Sequence, residues 1–598
     1  VGALSTLLLV GALLWWMPAT QRATPSPLVA AVDGGTRVVG RPERPYRIIT
    51  SSAGFGTYPG ISPDGTQVAY EADRDGADGS VIKVQTTSST PPRQLVDTPV
   101  GESDRFPAWS PDGREIAFAR FGAQGACAVY VASANGGELR RATRCDGADM
   151  LSFDWTPDGR GLLFGSMTGH YASRAIRRLD LASGQWRTVD YPQINDDFDY
   201  APRYSPDGRW IVFVRNPQMG DLWRIPAAGG TAEQLTDEAA EIRGWSWRPD
   251  SQRLVFGRRV DSEVRLYELD TASRTLRDLG VDDGQMPAVA RGSGTMAFVH
   301  RRAQFALFRI PLDGGDNPTV ERVFASSGRD SLPVVAPDGK QIVFSSDRSG
   351  EFGLWWGQLG STESLRLVSG VRPETRQAAN WSPDSRHVLV VGSDAHGVAQ
   401  VYEVQPRDEK VTLLQLPVRR PLQALYTNDA SRVLLVDRDR DNMTRLGLYQ
   451  RAQGQWRLLS SIDGVSQVRF DSRGDRVLFT RLSSGGLWSV GSDLDRGSIR
   501  QIDPDRPARW RYRSWEVGAD GGVRYLYTTA ACASLMTRLE VESEVRAEPV
   551  CVDGARLPAG NGFSLAPDGS SAFVSLALND GADIGVMNTV GDGASPWF

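Results

Sequence analysis

The chain has 598 residues, a net charge of −5 and 23% charged side chains. That length exceeds one compact core, and that charge excludes a chain that holds nucleic acid over its whole surface. With 4 His and 4 Cys it has little material for a metal centre, whereas 63 Gly and 35 Pro call for many tight turns.

The first 17 residues, VGALSTLLLVGALLWWM, carry no charge. As a helix they reach roughly 26 Å, close to the hydrocarbon thickness of a bilayer. Trp15 and Trp16 suit the membrane–water interface. This predicts a transmembrane helix over 1–17 that continues upstream of Val1. The apolar core of a signal peptide is the alternative. Residues 18–44 are rich in Pro and Gly and read as a linker.

Beyond the linker the chain repeats. A turn phrase such as ISPDG, WSPDG or YSPDG recurs with closing positions from 65 to 569 in eleven steps, about 46 residues each. Pro presets the turn, Asp bonds nearby backbone N–H groups, and Gly accepts the positive φ. Runs rich in β-branched and aromatic residues follow, such as RWIVFVR from Arg209 and QIVFSSD from Gln341. A second turn, a third strand and a fourth strand complete the unit. Each repeat reads as a four-stranded antiparallel meander, and such sheets bury both faces by radial stacking into a β-propeller.

The expected fold is all-β: two tandem six-bladed propellers over 45–315 and 316–598, preceded by the transmembrane helix. The strand 46–50 is expected to close the sixth blade and the strand 320–326 the twelfth. A seven-plus-five split stays open. Trp109, Trp155, Trp247 and Trp381 recur two residues before the turn proline and are expected to pack between blades.

Cys127 and Cys145 are 18 residues apart, and Cys532 and Cys551 are 19 apart. In both pairs the first Cys opens a third strand and the second ends a fourth. Antiparallel neighbours bring those ends together, so two disulfides are expected, and with them an oxidising compartment.

No G-x-S-x-G, H-E-x-x-H or phosphate-binding G-x-x-x-x-G-K-[ST] occurs. DRDRDN (437–442) starts like a calcium loop but lacks its glycine and reads as a charged hairpin. Neither an enzyme nor a cofactor or metal is expected. Loops leading into the first strands carry Asp104, Arg105, Asp196, Asp197, Asp199, Arg243, Arg329, Asp330, Glu374 and Arg376. They form a candidate binding rim for a protein, peptide or small-molecule signal.

The phrases WSPDGREIAFAR, YSPDGRWIVFVR, APDGKQIVFSSDRSG and AAGGTAEQLTD resemble the TolB-type propeller repeat, over nearly all of 46–590. With the apolar run and the linker ahead of them, they also resemble the periplasmic part of CadC- and ToxR-like membrane regulators. That resemblance implies an inner-membrane, single-pass protein with periplasmic propellers and possible dimers, whose winged-helix DNA-binding domain lies upstream. The alternative it implies is a membrane-tethered, TolB-like periplasmic scaffold with no DNA-binding role.

Overall fold

The computed structural model describes residues 38–39 and 46–589, except 51–53, 75–78, 89, 147–150, 168–173, 194–196, 217–219, 239, 261–262, 314–317, 375–376, 395–398, 439–442, 482–484, 505–514, 530 and 580. The expected helix 1–17, nearly all of the linker and most of DRDRDN lie outside the described residues. Among the described residues, no helix is long and apolar enough to cross a membrane.

The described chain forms twelve β-sheets, ten of them built on an antiparallel meander of consecutive strands. Sheets one to five span 56–94, 103–146, 153–188, 199–234 and 242–282. Sheets seven to eleven span 330–368, 372–414, 420–463, 465–503 and 515–553. Sheets six and twelve are composite. Sheet six takes Gly284–Val289 and Thr295–His300, then Asp583–Asn588, then Arg47–Ile48. Sheet twelve takes Pro558–Leu565 and Ser571–Asn579, then Gln304–Pro311, then Glu321–Val323.

The two composite sheets have therefore exchanged third strands. The chain passes from one set of sheets to the other between 300 and 304, and back between 579 and 583, rather than once near 316. Spacing could not reveal this. QFALFRIP and DIGVMN fit a third strand equally well, and each follows a second strand after a short turn.

Why these segments fold as they do is plain at the turns. The Ser62 hydroxyl donates to Asp64 at 2.6 Å, Asp64 accepts the Thr66 N–H at 3.0 Å, and Gln67 N–H donates back to Ser62 at 2.9 Å. The same triplet recurs at Ser110–Asp112, Thr156–Asp158, Ser205–Asp207 and Ser382–Asp384. Gly65 closes the first turn at φ +78°, and a Cβ there would sit 2.3 Å from the Ser293 hydroxyl of sheet six. Glycine is needed for both reasons.

Tryptophan and serine side chains fasten each sheet to the next. The Trp109 indole N–H donates to Gly60 O at 3.0 Å and that of Trp155 to Ala108 O at 2.9 Å. Ser152 Oγ accepts from Ala201 N–H at 2.8 Å, Trp245 donates to Ala201 O at 3.0 Å, and Ser246 Oγ accepts from Val289 N–H at 3.0 Å. Gly292 N–H then reaches Pro63 O of sheet one at 2.8 Å. Sheets seven to twelve are linked in the same manner, through Trp381 to Val334 O, Asn380 to Tyr426 N–H and Gln423 to Val468 N–H. Trp515 bonds Gln467, and Ser564 returns the series to Val335 of sheet seven. Trp247 also donates across sheets, to Arg203 O at 3.4 Å.

The two sets touch through charge. Arg420 grips Asp237 with contacts of 2.5 and 2.6 Å, and Arg438 meets Asp221 at 3.5 Å with both side chains buried.

Both disulfides are present, with Cα separations of 4.9 Å for Cys127–Cys145 and 5.9 Å for Cys532–Cys551. Each closes a strand 3–strand 4 hairpin. Titration of the denatured, unreduced protein should find no free thiol, and reduction should cost roughly 3 kcal/mol per bridge. Four reactive thiols would contradict the pairing.

The turns also set an acid limit. Hydroxyl donation from Ser62, Ser110, Thr156 and Ser382 holds Asp64, Asp112, Asp158 and Asp384 below the usual carboxylate range. Partial burial raises Asp520, but hydrogen bonds and charge from Arg524, with Arg538, bring it down to about 2. A depressed folded pKa stabilises fully above the unfolded value near 4 and is lost as pH falls through the folded value. The melting temperature should therefore hold from pH 7 to 5 and drop below pH 4. Asp520→Asn should shrink that drop, and Asp158→Ala should cost about 1 kcal/mol at pH 7.

Candidate functional site

A cavity of about 400 Å³ lies among sheets one to six, and every one of the six contributes its first strand to the wall. That volume suits a small ligand or a short stretch of chain.

The wall is shaped by a bulge. The register of the first strand slips between Thr57 and Gly60, Arg105 and Ala108, Tyr200 and Arg203, Ile242 and Trp245, and Gln285 and Ala288. At each slip one residue adopts positive φ: Tyr58 at +48°, Phe106 at +59°, Ala201 at +50°, Gly244 at +76° and Met286 at +51°. In a non-glycine residue this conformation stores about 1–3 kcal/mol. The bulge re-aims side chains, here toward the cavity.

Aromatic rings form one part of the surface. Tyr58 and Phe106 meet edge to face at 4.6 Å. Behind them the Arg105 guanidinium lies 4.8 Å from the Phe106 ring and donates to Glu71 at 3.0 Å. Burial raises the Glu71 carboxyl, against the pull of Arg105. Burial also raises the Tyr200 phenol, Tyr58 adds to this, and Arg203 and Arg105 offset part of it.

Charges form the other part. Asp154 lies 3.9 Å from Arg203 and 4.0 Å from Arg291. Arg203 also donates to the Trp245 carbonyl and lies 5.5 Å from that indole ring. Burial lowers the Arg203 pKa, Asp154 and Tyr200 oppose the shift, and Arg291 adds to it. Arg243 is held by Glu241 at 2.6 Å, and Glu241 also holds Arg259 at 3.0 Å. Among the described residues, no group of three or more His, Cys, Asp or Glu could hold a metal ion.

Gln467 of sheet ten donates to Gln377 of sheet eight at 3.3 Å, reaching past sheet nine. A cavity of about 10 Å³ beside Gln377 has room for at most one water.

Of the eight candidate rim residues that are described, only Arg243 lines the large cavity, and Arg105 borders it. Asp104, Asp199 and Asp330 have no exposed surface, so they cannot form a solvent-facing rim. Each is clamped by an arginine: Asp104 by Arg120 at 2.6 and 2.8 Å and Asp199 by Arg215 at 2.8 and 3.0 Å, both at the end of the second strand, and Asp330 by Arg348 at 2.8 Å, in the turn just past it. Asp197 joins the Arg215 pair at 3.4 Å. Arg329 bonds Asp347 at 2.8 Å and Asp283 at 3.3 Å. Glu374 lines the small cavity of the second set. Asp196 and Arg376 lie outside the described residues.

Sequence reasoning missed Tyr58, Phe106, Asp154, Tyr200, Arg203, Met286 and Arg291. A signal existed. Positions 58, 106, 201 and 286 each precede a proline and stand seven residues ahead of the turn positions 65, 113, 208 and 293.

Comparisons with known proteins define the class. Residues 44–293 match the family model of the TolB beta propeller domain, so this stretch is similar to that domain. The match ends well short of 590. Three of the later turns, TNDAS, DSRG and GADG, depart from the phrase, whereas VAPDG, WSPDS and LAPDG keep it.

Among relatives, the uncharacterized protein Atu1656 of Agrobacterium fabrum is 26% identical over 308 residues, covering 50% of this chain and 88% of that protein. The uncharacterized peptidase YuxL of Bacillus subtilis is 30% identical over 165 residues, covering 27% of this chain and 22% of that protein. Dipeptidyl-peptidase 5 of Porphyromonas gingivalis is 26% identical over 140 residues, 21% of this chain and 20% of that protein. TolB of Acinetobacter baumannii is a solved structure at 22% identity and TM-score 0.33, covering 38% of this chain and 55% of that one. The expectation that the chain is not an enzyme is thereby corrected, because two of these relatives carry the name of peptidases. The chain spans only about a fifth of the length of each. These matches give no support to a transcriptional regulator.

The clamps predict a stability effect separable from binding. Arg120→Ala should cost about 3–5 kcal/mol, because it strands Asp104 as a buried, uncompensated charge. Asp104→Asn with Arg120→Met should cost clearly less in denaturant titration. Equal losses would contradict the clamp.

Proposed function

We propose that this chain is an extracytoplasmic binding scaffold of TolB type, built as two six-bladed propellers. The first propeller takes a peptide segment of a partner protein in its central channel. The second serves as a closed structural support. The observation that carries this reading is the 400 Å³ cavity walled by all six first strands. Its mixture of aromatic rings and arginines suits a backbone-bearing ligand with varied side chains.

Three further observations support it. The two disulfides favour an oxidising compartment, and the TolB-type domain favours the periplasm. The peptidase relatives favour peptides as the ligand class. The apolar run 1–17 would tether the propellers to the inner membrane.

The test is tryptophan fluorescence of the full chain, with Trp245 in the cavity wall, titrated with a pool of unstructured octapeptides. Saturable binding is expected, with a loss of about tenfold in Tyr200→Ala, typical of one aromatic contact. No saturable binding of any peptide to the folded protein would overturn the proposal.

A further inference from the structure

The first strands of sheets one to six present one equivalent wall position each, just before the residue that ends the strand: Gly60, Ala108, Asp154, Arg203, Ser246 and Ala288. Four are small or uncharged. The two charged ones are neighbours. A third charge stands close by: sheet six carries Arg291 where the other turns of this set carry Pro63, Pro111, Pro157, Pro206 and Pro249. The repeat does not need these charges to fold, since it omits them elsewhere.

Their geometry is not that of a structural clamp. Arg120 and Arg215 hold their aspartates at 2.6–3.0 Å. Arg203 and Arg291 stand 3.9 and 4.0 Å from Asp154, beyond hydrogen-bond length. The three side chains keep exposures of 32%, 30% and 19%, all toward the cavity. One carboxylate thus faces two guanidinium groups without satisfying either. Arg203 is preorganised by its bond to the Trp245 carbonyl and its position over that ring. A second carboxylate would complete the cluster with charge-assisted hydrogen bonds.

We infer that Arg203 and Arg291 form a carboxylate-recognition subsite, with Asp154 as its internal counter-ion. This rests on the reading of the first channel as a peptide site. The ligand class is then a peptide whose free C-terminus or Asp/Glu side chain enters the channel. Asp154 sets the selectivity: it tempers the cavity charge and competes with the ligand for both arginines.

The test uses the full chain and octapeptides in matched forms, C-terminal acid or amide, and Asp/Glu or Asn/Gln. In the unmodified protein one acidic form is expected to bind about tenfold more tightly than its neutral match. Loss on amidation assigns the terminus, and loss on Glu→Gln assigns the side chain. The preference should vanish in Arg291→Gln, persist in part in Arg291→Lys, and grow in Asp154→Asn, with melting curves showing that each variant is folded. Equal binding of acidic and neutral peptides would overturn the carboxylate subsite while leaving the peptide channel standing. No binding of any form would overturn both.

Discussion

The structure depends on one pairing constraint: two strands complete sheets to which they do not belong in sequence order. Thr295–His300 pairs with Asp583–Asn588, and Ser571–Asn579 pairs with Gln304–Pro311. A sheet that lacks its third strand leaves a row of backbone donors and acceptors unpaired and strips the core beneath it. Ile584 and Val586 belong to the apolar cluster that holds Val68 and Tyr70 of sheet one. Phe308 and Ile310 belong to the cluster that holds Val552 and Phe563 of sheets eleven and twelve. Neither set closes on its own stretch of sequence. Ion pairs such as Arg420–Asp237 bind the sets further, though they add less than the exchanged backbone hydrogen bonds.

Closure in turn makes the cavity. A first strand that ran straight would alternate its side chains evenly. The bulges at Tyr58, Phe106, Ala201 and Met286 break that alternation and point a band of side chains inward. Their strain is held by inter-sheet bonds such as Ser152 Oγ to Ala201 N–H. The second set has the same device at Leu332, with φ +53°, yet amide side chains such as Gln377 and Gln467 meet near its centre. Among the described residues, the same backbone plan carries a cavity of about 400 Å³ in the first set and a Gln467–Gln377 contact in the second.

Much of the fold was legible because its punctuation is chemical. Ser62, Asp64 and Gly65 each have a single task in the turn, and their recurrence counted the sheets. Cys127 and Cys145 were legible because hairpin register fixes which ends meet. The strand exchange was not legible, because hydrophobic pattern specifies a strand's face and not its partner. The burial of three candidate rim residues was not legible. Asp104, Asp199 and Asp330 are polar and stand at the starts of first strands, where a solvent-facing loop was expected, yet each is an internal ion pair with an arginine on the next strand or, for Arg348, just past it. That partner is found only by following the hairpin register, as from Asp104 to Arg120. The cavity wall lies ahead of the turn phrase, beside Pro59, Pro107, Pro202 and Pro287, which the phrase does not include.

The most direct measurement is calorimetry of the chain ended after Asn579, which keeps sheet twelve complete and removes the third strand of sheet six. The account predicts that sheets one to six lose their cooperative transition while sheets seven to twelve retain theirs. An unchanged melting profile would contradict the exchanged pairing on which the cavity depends.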